Sequence, residues 1–193
     1  MSAGSEFSVS AVSLKAQKKL ASRFSTRKCA RVVLDDLASG LLDRLHKLVS
    51  LCLNSRKDAD KTVKNLIKVA VKAALLAKNE QFNDAELAIG RQLNARLRHL
   101  LMTLISFHRV DFTYDRQHLI GLLNEFRDLL DRLLGDHVTQ KSHDRLADAF
   151  QCLTKPELLD ELYGGATPGS RVHSEMQLLC RDADLFLEQR WSA

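Results

Sequence analysis

The chain has 193 residues, of which 45% are hydrophobic and 27% charged, with only 2 prolines and 8 glycines. That length supports one domain with a sizeable core, and the shortage of turn residues excludes a sandwich or barrel in favour of long helices. The formal net charge of +5 is concentrated at one end. Seven of the 29 basic residues stand in the first 33 positions against Glu6 alone, so the rest of the chain, with 22 basic and 23 acidic side chains, is nearly neutral. A basic arm on a neutral body directs one segment toward an anionic surface and leaves the remainder for another task.

The arm, residues 1–27, is the first of two units. On a helical wheel its segment 7–25 places Phe7, Leu14, Leu20, Ala21 and Phe24 on one arc and Lys15, Lys18, Lys19 and Arg23 on the other. Such a helix lies in a lipid headgroup layer with its lysines near phosphates, or docks on the body with its lysines solvated. Both readings stand at this point. Residues 28–193 form the second unit, a helical bundle. Its expected helices run near 29–53, 56–79, 83–107, 114–136, 139–152, 155–163 and 171–190.

Start signals support these boundaries. Asn83 and Glu86 have the spacing of a capping box, and Phe82 with Leu87 that of a hydrophobic staple. Thr154-Lys155-Pro156-Glu157 reads as a Ser/Thr-x-x-Glu box with proline in the first turn. Thr113 and Thr139 are the expected caps of two further helices. The one flexible connection is Gly164–Gly169. In the helix 56–79, Val63, Leu66, Ile67, Val69, Ala70, Val71, Leu75 and Leu76 cover more than one face. Such a helix is a central core element, or part of it lines a cavity for a lipid chain.

The sequence gives little sign of catalysis. It contains no phosphate-binding glycine loop, no H-E-x-x-H and no G-x-S-x-G. Its seven histidines are scattered, and His137 and His143 straddle the Thr139 cap rather than forming a metal pair. Glu125, Asp128 and Asp131 share a helix with Arg127 and Arg132, the pattern of a solvated face with i,i+4 pairs. Cys29, Cys52, Cys152 and Cys180 lack zinc or redox spacing, as expected of free thiols in the cytosol. No apolar run is long enough to span a membrane. Few aromatics accompany the basic arm, which disfavours nucleic acid as its partner.

Several blocks carry a resemblance. They are Ser13-Leu14-Lys15-Ala16-Gln17-Lys18-Lys19-Leu20, Lys64–Lys72 continuing through Asn79-Glu80-Gln81-Phe82, and Met102-Thr103 with Ser106-Phe107. They continue with Val110–Arg116 and Val138-Thr139-Gln140-Lys141-Ser142-His143-Asp144-Arg145. In this order and spacing, from about Phe7 to Tyr163, the chain resembles the tumour necrosis factor alpha-induced protein 8 family, also called the TIPE family. It differs in having Asp144 in place of the usual glycine, and the motifs run out after Tyr163.

The resemblance implies an all-α, single-domain bundle of about six to seven helices around a central apolar cavity, with a basic amphipathic N-terminal helix. It implies a cytoplasmic protein without catalysis or cofactor, peripheral to the inner leaflet of the plasma membrane. Such a protein binds and transfers phosphoinositides in cell-death and immune signalling; the competing reading is an adaptor for death or small-GTPase signalling proteins. Carried onto this chain, the headgroup residues are Lys18, Lys19, Arg23 and Lys78, with Lys15 beside them on the arm. Asn94 stands where the family has an arginine, and Arg91 and Arg98, on the same helical face, compensate. The candidate cavity walls are Leu66, Ile67, Ala70, Leu75, Leu101, Leu104, Ile105, Leu119, Leu122, Phe126, Leu130 and Phe150.

Overall fold

The computed structural model describes residues 36–110, 113–164 and 168–191. Among them are seven α-helices and no strand. They are α1 (Asp36–Cys52), α2 (Arg56–Lys78), α3 (Asp84–Arg109), α4 (Arg116–Leu134), α5 (Gln140–Leu153), α6 (Pro156–Tyr163) and α7 (Arg171–Trp191), with a 3₁₀ turn at Gly135–His137. Six of the expected helices fall within three residues of these bounds. The first is described only from Asp36, and the amphipathic segment 7–25 lies outside the described residues.

Local chemistry sets most of the ends. Asn83 accepts from the Glu86 amide while the Glu86 carboxylate accepts from the Asn83 amide, so the capping box is complete. The staple is a different matter. Leu87 is exposed, and Phe82 packs on the core and meets the His137 ring edge-on at 5.6 Å.

Three threonines also depart from expectation. Asp115, not Thr113, caps α4 by accepting from the His118 amide at 3.0 Å. The Thr113 hydroxyl instead donates to the Val110 carbonyl just past α3. Thr154 closes α5 by donating to the Phe150 carbonyl, and Lys155 holds the N-cap position of α6 without a side-chain bond. Thr139 holds the N-cap position of α5 but makes no cap bond. A hydroxyl near a helix junction can serve either end, and those of Thr113 and Thr154 bond backward because the preceding helix leaves its last carbonyls unpaired.

The helices close into a ring. Following the main contacts, α1 packs on α2, α2 on α5, α5 on α4, α4 on α3, α3 on α7, and α7 back on α1. Neighbours run antiparallel. Lys72 bonds Ser142 while Lys61 pairs with Asp148, so α2 and α5 are opposed. Trp191 shares a groove with Met102, while Asp184 pairs with Arg109, so α3 and α7 are opposed as well. Arg44 ties α1 to α7 by donating to Glu175 and Asp182, each at 3.2 Å.

The short helix α6 does not join the wall. It touches α1 and α7 and also α4, the ring member opposite α1, and buries Leu158, Leu159 and Leu162. It therefore lies across one end of the ring. There Tyr163 donates to the Leu104 carbonyl, and Phe107, Tyr114 and Tyr163 pack ring to ring at 5.0–5.8 Å. Tyr114 and Arg116 both bond Asp160 of α6. Phe107, Tyr114 and Arg116, from blocks so prominent in the sequence, thus hold this end together. The opposite end gathers the first turns of α1, α3 and α5 and the last turns of α2, α4 and α7.

Candidate functional site

The groove between α3 and α7 unites the residues expected on α3. Arg91, Asn94 and Arg98, spaced three and four apart, form one exposed stripe, and with Ala95, His99, Met102 and Trp191 they line a surface groove of about 680 Å³. A second stretch of about 360 Å³ shares Arg98, Met102 and Trp191 and runs on between Ser106, Asp184 and Glu188. Arg91 and Arg98 form no ion pair among the described residues, whereas Arg96 on the neighbouring face is paired with Glu125 at 3.0 Å. The trough is cationic toward the start of α3, while toward its other end lie Glu188 and Asp184, the latter paired with Arg109. A phosphate is therefore favoured only at the Arg91 end.

Lys78 lies exposed in the last turn of α2 and does not line this groove; the short connection 79–83 keeps it at the end where α3 starts. Lys15, Lys18, Lys19 and Arg23 lie outside the described residues. Trp191 and Met102 were not legible as site residues. A lone tryptophan near the chain end and a methionine in an apolar helix carry no positional signal until α7 closes against α3.

The apolar candidates meet in one cluster. Ile67, Leu75, Leu101, Ile105, Leu119, Leu122 and Phe150 are buried in it, and Leu66, Leu104, Phe126 and Leu130 pack on it half-buried. Ala70 is half-buried on α2. They come from α2, α5, α4 and α3, four consecutive members of the ring, with Phe126 and Phe150 stacked at 6.1 Å across α4 and α5. Filling is uneven along α3. Its buried residues begin only at Leu100, and Ile89, Leu93 and Leu97 on its first half remain half-buried.

The charged residues considered from sequence have structural partners. Glu125 reaches across to Arg96 and Asp131 to His143, both links between helices, while Asp128 pairs with its neighbour Arg127, so the expected i,i+4 pairs are not formed among these three carboxylates. His137 bonds Glu86 at 2.9 Å, while His143 bonds Asp131 at 2.6 Å and donates to the Gly135 carbonyl at 3.0 Å. The two rings serve different contacts. Among the described residues no cluster of three or more His, Cys, Asp or Glu could hold a metal ion. Cys52, Cys152 and Cys180 are free thiols, and burial pushes Cys180 up to about 11 and Cys52 up to about 12. No helix among the described residues is long and apolar enough to cross a membrane.

A closed antiparallel helical ring, capped at one end and carrying arginines by the other, defines the class: an all-α single-domain bundle. A family model described as "Tumor necrosis factor alpha-induced protein 8-like" matches residues 7–190. The human tumor necrosis factor alpha-induced protein 8-like protein 1 is 40% identical over 183 residues, covering 95% of this chain and 97% of that protein. The zebrafish (Danio rerio) like protein 2 B is 37% identical, covering 94% and 96%. Human tumor necrosis factor alpha-induced protein 8 is 35% identical, covering 92% and 88%. The chain belongs to the tumour necrosis factor alpha-induced protein 8 family. The match continues through α7, beyond Tyr163, where the motifs by themselves run out.

Proposed function

We propose that this protein is a non-enzymatic carrier of phosphoinositides that works at the inner leaflet in cell-death and immune signalling, the setting that family membership supports. In this reading the acyl chains occupy the axis of the ring. The headgroup phosphates meet Arg91 and Arg98, with Asn94 between them and Lys78 at the same end of the bundle. Lys15, Lys18, Lys19 and Arg23 bring the arm to the anionic membrane.

The supporting observation is the ring itself. Six cylinders about 10 Å across, arranged in a circle, would leave an axial space about as wide as a seventh for side chains and hydrocarbon to share. Among the described residues the only helix placed across that axis is α6, which at eight residues is about 12 Å long, while α2, at 23 residues, runs about 34 Å. The loose burial of Ile89, Leu93 and Leu97 falls at the end away from α6. Burying hydrocarbon there contributes about 0.8 kcal/mol per CH₂, while phosphates need charge and hydrogen bonds.

Two measurements test it. Mass spectrometry of detergent-free protein should find phospholipid bound, and the protein should move labelled phosphatidylinositol bisphosphate between vesicles. Lys18→Ala/Lys19→Ala should lower vesicle binding and leave a shallower salt dependence than the parent. Absence of both bound lipid and transfer would leave the adaptor reading in its place.

A further inference from the structure

On the ring, the seam between α2 and α5 lies opposite the α3 and α7 groove, and it carries charge that neither the lipid reading nor the core uses. Lys64, Lys68 and Lys72 recur every four residues and so share one face of α2. Lys141 and Arg145 do the same on α5. Contacts put the two faces together: Lys72 donates to the hydroxyl of Ser142, which is 1% exposed. Farther along, Lys61 pairs with Asp148 at 2.9 Å.

Four further cations lie between or beside those two fastenings. Lys64, Lys68, Lys141 and Arg145 form no ion pair among the described residues, whereas Arg44, Arg96, Arg109, Arg116, Arg127 and Arg181 do. The carboxylates nearby are engaged: Asp148 with Lys61, Asp144 accepting from Gln140, and Asp58 facing Lys155. Burial, and then the fields of Arg145, Lys64 and Lys141, hold the Lys68 ammonium below its ordinary value. Three cations therefore act on a fourth that is half-buried. Like charges gathered on a nearly neutral body cost stability unless an anion joins them.

We propose that the α2 and α5 seam is a second anion site, one that takes a ligand bearing several clustered phosphates. Lys68 and Arg145, half-buried, form its floor, and Lys64 and Lys141, exposed, its rims. From Lys64 to Lys72 the helix advances about 12 Å, a span that fits several phosphates rather than one. The guanidinium of Arg145 supplies a fork for two phosphate oxygens and the lysines supply point charge. Clustered phosphates occur on soluble inositol polyphosphates and on polyphosphorylated lipid headgroups, and the site recognises what they share. The inference is independent of the lipid-carrying reading, because no seam residue belongs to the groove or to the candidate cavity walls.

The test uses the full chain and two probes: inositol hexakisphosphate in solution, and phosphatidylcholine vesicles with and without phosphatidylinositol bisphosphate. The parent should bind at least one in a salt-sensitive manner. Lys68→Glu/Arg145→Glu should weaken that binding by about tenfold or more, the loss expected for one charge-assisted hydrogen bond. Lys64→Gln/Lys141→Gln, changed only at exposed positions, should weaken it less and guards against misfolding of the first variant. Arg91→Gln/Arg98→Gln should leave hexakisphosphate binding intact, and the seam variants should retain bound lipid. Loss with the soluble probe identifies a free polyphosphate as ligand; loss with vesicles alone identifies the headgroup. Binding of neither probe, or equal binding by parent and both seam variants, would overturn the proposal.

Discussion

His143 is held between two acceptors on α4 and the turn that follows it. Its Nδ1 meets Asp131 and its Nε2 donates to the Gly135 carbonyl. The bond to Asp131 raises its pKa above the usual 6.5, against the opposing effect of burial. A group with a raised folded pKa stabilises fully below its unfolded pKa and loses that contribution as pH rises through the folded value. His108 works in the other direction, lowered chiefly by burial and then by His173 and Arg109. Its neutral form is favoured in the fold, so it costs stability as pH falls below 6.5. Urea midpoints on either side of pH 6.5 should separate the two. His143→Gln should remove the part of the parent's stability that declines above 6.5, and His108→Gln should improve stability below it. A parallel pH profile for parent and His143→Gln would mean that the imidazolium is not what joins α4 to α5.

Among the elements, caps differ from what their residue types suggest, and the difference is measurable. Asn83→Ala removes the side-chain half of a complete capping box and should cost about 1 kcal/mol. Thr139→Ala, at a position of the same kind without a cap bond, should change stability by less than about 0.5 kcal/mol. Thermal denaturation of the two variants decides between them, and equal losses would contradict the assigned bonding at α5. The same contrast shows what short-range sequence can specify. The Asn83 box was legible because both partners lie within one turn. Thr113 and Thr154 were misread because each hydroxyl had two helix ends in reach, and which end it serves depends on how the connection folds.

The closed ring gives the molecule two unlike ends. At the α6 end, Leu158 and Met176 are each 1% exposed, so Leu158→Ala or Met176→Ala should cost about 2–5 kcal/mol, as cavity-forming changes do. Leu93, half-buried toward the other end, should cost about 1 kcal/mol or less when truncated to alanine, because less apolar surface leaves contact. Equal penalties by urea titration would indicate that both ends are equally filled, contrary to the proposed lipid passage. The two proposed anion sites lie on opposite walls of the ring, the groove on one and the lysine-rich seam on the other.

Periodicity, the scarcity of proline and glycine and the Asn83 box determined the helices, because each reports interactions within a few residues of itself. The family motifs were equally visible in the chain, though not their role: Tyr114, Arg116 and His143 tie helix ends together across 46, 44 and 12 positions. Which helices become neighbours was decided only in three dimensions. So were the meeting of Trp191 with Met102, the convergence of Lys68 with Arg145, and the placing of α6 across one end. Those pairings depend on apolar faces finding one another at long range, and no local pattern of side chains encodes the order in which six similar helices close a ring.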